Sequence, residues 1–271
     1  MTSLNKKSPS DGAYSRIIYF VTPTMWIHQM EEKTEFFKNL QKLIEDLRIK
    51  GVTEVKTIAL VYQVAFKMIE HTDRLKPPIF YSYTDLNFNK ELAKIFQDEI
   101  QKCSARLLLA IKESEAFSDL VAEFIEKNEA SNKNLGQYFT PKDVSLFQSA
   151  INLKLTSIDR FKEDDYFWIG DDTGCGTGSL ILSMLSQFKD NVKDFEDIHF
   201  QSVAVSMNDI DEYLSKIAYF QVVLSSLIHK KPLGIVQVEA KDIISEYQIT
   251  KNQNIFISNM TKAHKHKIKN L

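Results

Sequence analysis

The sequence predicts an α/β protein in which a helical N-terminal domain, residues 1–130, precedes a parallel, doubly wound sheet within residues 131–271. Three observations predict it. Apolar residues recur at three- and four-residue steps up to about residue 130; short apolar runs alternate with helical ones beyond it; and a polar, glycine-terminated stretch, residues 128–136, separates the two patterns.

From Glu31 to Lys50, the residues Phe36, Phe37, Leu40, Leu43, Ile44 and Leu47 mark one face of an amphipathic helix, with Gly51 as its C-cap. Similar spacing runs from Val52 to His71, breaks at Lys76-Pro77-Pro78, and resumes over Leu92–Ile111 and Phe117–Ile125. After the junction, the runs Tyr166–Ile169, Val203–Val205, Ile235–Val238 and Asn254–Ser258 read as strands. Leu180–Leu185 and Tyr213–Leu224 read as the helices between them.

A chain of 271 residues, 44% hydrophobic and 26% charged, has the composition of a folded domain and excludes disorder as the default. No apolar run approaches the roughly 20 residues that span a bilayer, and the polar start Met1–Lys7 is unlike a signal peptide, so a cytoplasmic protein is expected. Cys103 and Cys175 lie far apart without spaced Cys or His partners, which argues against a disulfide and a zinc site; no metal is expected. The formal charge of −2 offers phosphates no global attraction, so contact with nucleic acid must come from a local patch or a partner.

The chemistry concentrates where Tyr166–Ile169 runs into Asp172-Thr173-Gly174-Cys175-Gly176-Thr177-Gly178 and then into a helix. Glycines let backbone approach a ligand closely, and the helix N-terminus offers N–H groups to an anionic group such as the carboxylate of S-adenosylmethionine (SAM). A phosphate-binding P-loop would need a Gly-Lys-Ser/Thr ending, and here Gly178-Ser179-Leu180 follows. Nor do Gly174, Gly176 and Gly178 keep the G-x-G-x-x-G spacing of a dinucleotide site.

At the end of the next strand stand Asn208-Asp209-Ile210-Asp211. A carboxylate there accepts from both hydroxyls of a ribose, which makes Asp209 the candidate ribose ligand with Ile210 beside an adenine ring. Asp211 suits a helix N-cap. The third run ends in Glu239-Ala240-Lys241-Asp242, where Asp242 is placed to accept from an adenine amino group. A glycine loop and two acids at three strand ends converge on the crevice where open α/β sheets bind ligands.

Together with Gly136-Gln137-Tyr138-Phe139-Thr140-Pro141, these motifs in this order resemble the N6-adenine DNA methyltransferases, type I modification subunits among them. The resemblance spans about residues 117–259. It implies a Rossmann-like, SAM-dependent methyltransferase sheet that acts on DNA in restriction-modification. By carry-over, Tyr138, Phe139, Thr140 and Pro141 line the methionine side of SAM. Asp172, Gly174, Gly176 and Gly178 wrap its amino-acid portion, and Asp209, Ile210 and Asp242 hold ribose and adenine. Locally, Thr140 also reads as a helix N-cap with Pro141 at the first helical position.

The family's catalytic Asn/Asp-Pro-Pro-Tyr/Phe motif has a partial counterpart in Ser258-Asn259-Met260-Thr261. Asn259 is the candidate catalytic residue, but Met260 offers no planar face to stack on a flipped base. The resemblance also implies further strands beyond Asn259 than the remaining residues supply. A second protein chain or self-association is therefore expected to complete the sheet. Two readings result: a methyltransferase or a component of one, and a SAM-binding accessory protein without catalysis. A nicotinamide-binding protein is a third.

Overall fold

The computed structural model describes residues 23–70, 80–82, 88–128, 140–155, 166–171, 174–192, 195–242 and 255–259; for 23–30, 80–82, 155, 171 and 255–259 only the backbone is described. The Lys76-Pro77-Pro78 break and most of the junction lie outside these residues.

Helix α1 (Pro23–Arg48) buries Phe36, Phe37, Leu40, Leu43, Ile44 and Leu47, the face that the apolar spacing picks out. It stops where Gly51 takes a φ of +80° and Val52 N–H bonds back to the Leu47 carbonyl. Helix α2 (Glu54–Glu70) follows. The single helix expected over Leu92–Ile111 is two, α3 (Lys90–Ile95) and α4 (Gln97–Glu113). The Asn89 side chain caps α3 by accepting from the N–H groups of Glu91 and Leu92, and the chain turns at Phe96, whose ψ of 19° is not helical. Helix α5 (Leu120–Asn128) closes the helical layer.

Beyond the junction come α6 (Lys142–Leu155), β2 (Phe167–Asp171), α7 (Ser179–Asn191), a 3-10 turn (Asp197–Ser202), β3 (Val203–Asp209), α8 (Glu212–Ile228), β4 (Ile235–Ala240) and β5 (Ile255–Asn259); strand β1 (Phe80–Ser82) precedes α3. The sheet order is β1-β5-β4-β3-β2. Strands β2, β3 and β4 are parallel, as expected of a doubly wound sheet. The outer two depart from the expectation: β5 runs antiparallel to β4, and β1, from the stretch read as wholly helical, pairs with β5. Antiparallel pairing requires no crossover helix.

Helix α8 explains how the layers join. It packs on β3 and β4 on one side and on α2 and α4 on the other, so every residue from Leu214 to Ser226 is buried. Ring contacts bridge the layers, Phe66 to Phe220 at 5.4 Å and Phe117 to Phe200 at 5.3 Å between centroids. One apolar cluster runs through both the helical layer and the sheet layer. Among the described residues, no helix is long and apolar enough to cross a membrane.

Candidate cofactor site

The loop from β2 to α7 uses its three glycines for two purposes. Gly174, Gly176 and Gly178 have φ of +143°, +54° and +91°, a region that side chains disfavour. A Cβ on Gly176 would meet nothing within 4 Å, and one on Gly174 would meet only the Asp209 carboxylate at 3.9 Å. Among the described residues, Gly176 thus faces open space and Gly174 only the Asp209 carboxylate. Gly178 instead sits on α8, where a Cβ would lie 3.2 Å from the Ala218 Cβ and 3.3 Å from its Cα.

Hydrogen bonds lace this loop to the ends of the neighbouring strands. Cys175 N–H donates to the Asn208 carbonyl (2.7 Å), and Gly176 N–H to Asp209 Oδ2 (2.8 Å). The other carboxylate oxygen, Oδ1, accepts from Asp211 N–H at 2.9 Å. Lys241 N–H donates to the Asp209 carbonyl, and Asn208 Nδ2 donates to the Lys241 carbonyl, both at 3.1 Å. Asp209 is only 8% exposed, so the bonds at its carboxylate form largely out of water, where ionised acceptors are strongest.

The two acids of the Asp209-Ile210-Asp211 turn divide their roles. Asp211 caps α8 by accepting from the N–H groups of Tyr213 and Leu214, while Asp209 points to the loop. Between them Ile210 is 70% exposed. Asp242, half-buried, lies one residue past the Lys241 tether. The structure therefore brings Gly174, Gly176, Gly178, Asp209, Ile210 and Asp242 to the C-terminal ends of the parallel strands. Cys103 and Cys175 are both buried, and no group of three metal-binding side chains occurs among the described residues.

Thr140 and Pro141 are exposed at the start of α6. Ser145 N–H closes the first turn on the Pro141 carbonyl, so Pro141 rather than Thr140 occupies the capping place. Helix α6 is pinned to α7 by Ser145 Oγ against Ser183 Oγ (2.8 Å) and by Ser149 Oγ donating to the Leu180 carbonyl (3.3 Å). Tyr138, Phe139 and Asp172 lie outside the described residues.

Asn259 is not brought to the same crevice. Its backbone pairs with Ile235, at the start of β4, whereas Asp209 pairs with Ala240 at the far end of that strand. At about 3.3 Å per residue, the two ends of β4 are roughly 16 Å apart. The reversed direction of β5 is the cause.

Sequence reading missed the support beneath the loop. Gln221, 3% exposed in the middle of α8, donates from Nε2 to the Thr177 carbonyl (2.8 Å) and to Asp119 Oδ1 (3.2 Å). Its Oε1 accepts from the Tyr62 hydroxyl at 3.1 Å. Burial pushes the Asp119 carboxyl above its ordinary value and the Tyr62 phenol well above its own. The only signal in the sequence was one amide inside the apolar run Tyr213–Leu224.

A family model described as N-6 DNA Methylase matches residues 112–224. No curated protein matches the chain. Among solved structures, a Listeria monocytogenes protein described as a class I SAM-dependent methyltransferase is similar over 83% of this chain and 66% of its own, with 12% identity and a TM-score of 0.43. The type I restriction-modification system methyltransferase subunit from Streptococcus thermophilus is similar over 81% of this chain and 41% of its own, with 16% identity and a TM-score of 0.36. The chain thus spans less than two thirds of either solved protein.

Proposed function

We propose that the chain, whose residues 112–224 match the N-6 DNA Methylase family model, binds SAM at the ends of β2, β3 and β4 and is an adenine-N6 DNA methyltransferase or a component of one. The observation that carries this reading is the buried Asp209 carboxylate, which accepts from the N–H of Gly176, a residue that faces open space among the described residues.

The residues present fit the cofactor. Each Asp209 carboxylate oxygen accepts one backbone N–H and keeps a further lone pair for a ribose hydroxyl. Exposed Ile210 supplies an apolar face for the adenine ring, and Asp242 an acceptor for its amino group. By the family resemblance alone, Tyr138, Phe139, Thr140 and Pro141 are proposed for the methionine side and Asp172 with the glycines for the amino-acid end; Tyr138, Phe139 and Asp172 lie outside the described residues. When bound, SAM supplies the methyl group; the chain's part is to orient it. DNA is the proposed substrate, consistent with a cytoplasmic setting. Among the described residues the outer edge of β2 has no strand partner, and a second protein chain or a second copy is proposed to complete the sheet there.

Two observations favour the reading of a non-catalytic SAM-binding accessory protein: Asn259 pairs with the start of β4, away from Asp209, and Met260-Thr261 replaces the Pro-Pro-aromatic sequence. Calorimetry with SAM, and transfer of labelled methyl groups to adenine-containing duplex DNA, separate the two. Binding with transfer supports the enzyme; binding without transfer, even after the chain is purified with its cellular partners, supports the accessory role. Absence of binding would overturn both.

A further inference from the structure

We propose that Gln221, oriented by Asp119 and Tyr62, is the positioning residue of the glycine loop, so that the helical layer sets how tightly the loop grips its ligand. The identity of that ligand rests on the SAM reading above.

The Thr177–Gly178 peptide is held from both sides. Its carbonyl accepts from Gln221 Nε2 at 2.8 Å, and its N–H donates to the Cys175 carbonyl at 2.8 Å. With Cys175 and Gly176 bonded to the end of β3, the loop hangs between two anchors, β3 on one side and α8 on the other. A chain with glycine at alternate positions has little steric resistance to peptide rotation. Rotation of the 177–178 peptide would exchange the positions of its carbonyl and N–H, and the Gln221 bond opposes it.

An amide can itself turn over and present oxygen in place of nitrogen, and two helices prevent this. Asp119 Oδ1 accepts from Gln221 Nε2 and is fixed in place by Ala122 N–H (2.9 Å) at the start of α5. The Tyr62 hydroxyl on α2 donates to the opposite end, Oε1. An acceptor on one side and a donor on the other leave only the orientation that points N–H at Thr177. The Ser179 side chain, at the first residue of α7, acts on the same buried Asp119 carboxyl. The acid therefore stands directly under the loop it supports.

The test uses the full chain, near-isosteric Gln221→Met and the single-hydroxyl deletion Tyr62→Phe. Amide hydrogen exchange over residues 174–182, the SAM dissociation constant and the thermal midpoint are measured for each. Gln221→Met is expected to speed exchange of the loop amides and to weaken SAM binding roughly tenfold, the factor given by about 1.4 kcal/mol. Tyr62→Phe is expected to act in the same direction by roughly threefold. A variant that melts earlier but, while folded, keeps the loop exchange and SAM affinity of the unaltered chain would show a merely structural network and overturn the proposal. Should Gln221→Met fail to fold, Tyr62→Phe decides. If the unaltered chain binds no SAM, the cofactor reading fails, and loop exchange alone still decides the clamp.

Discussion

Replacing Asp209 by asparagine separates the two tasks assigned to that carboxylate, because the shape is kept while the charge and one acceptor are lost. Oδ2 accepts from Gly176 N–H at 2.8 Å and Oδ1 from Asp211 N–H at 2.9 Å. Whichever way the asparagine amide turns, one of these backbone donors faces an NH2 group. A hydrogen bond to a charged partner contributes about 1.5–3 kcal/mol, and in a chain of this size each kcal/mol moves the thermal midpoint by about 2–4 °C. The variant is expected to melt roughly 3–12 °C lower without ligand. At a SAM concentration 100 times its dissociation constant, the unaltered chain gains about 2.7 kcal/mol; tenfold weaker binding leaves about 1.4 kcal/mol. Melts followed by circular dichroism, with and without SAM, should therefore show the ligand-induced rise halved. An unchanged midpoint would refute the lacing of loop to strand. A lower midpoint with an undiminished SAM response would refute Asp209 as the ribose ligand.

Two further outcomes follow from the packing and the charges. Gly178→Ala combines a left-handed backbone with a Cβ 3.2–3.3 Å from Ala218, and should cost roughly 2–4 kcal/mol in urea denaturation; a change under about 0.5 kcal/mol, the range of an ordinary surface substitution, would remove Gly178 from the loop–α8 contact. His229 Nε2 lies 2.9 Å from the Ile111 carbonyl, and burial lowers its imidazole below the ordinary value of 6.5. The unfolded chain then takes the proton first, so stability is highest above pH 6.5 and falls as the pH drops from there through the lower folded value. Replacing it in His229→Gln should flatten that fall, and an unaltered pH profile of the midpoint would contradict the assignment.

Much of the parallel core was legible along the chain. The apolar runs at 203–205 and 235–238 locate β3 and β4 because a buried parallel strand needs apolar side chains on both faces, and the run at 166–169 locates the edge strand β2, which buries Ile169 and leaves Trp168 exposed. The glycine loop was legible because three positive φ values at alternate positions favour glycine. Asp209 could be singled out because an acid at that strand end has little to do in the core except serve a loop or a ligand. The split between α3 and α4 was obscured, since Phe96 suits the apolar spacing of a continuous helix while its backbone turns.

The sequence by itself therefore determined the helical face of α1, the three parallel strands and the order of the motifs, but neither strand β1 nor the break between α3 and α4. Tertiary structure alone decided the direction of β5, which takes Asn259 away from Asp209, and the placing of Gln221, Asp119 and Tyr62 beneath the loop. The physical reason is range. Helix, strand and turn arise from neighbours within a few residues, whereas strand direction and a buried amide's partners depend on groups brought together from distant parts of the chain. No spacing records that Tyr62 will meet Gln221.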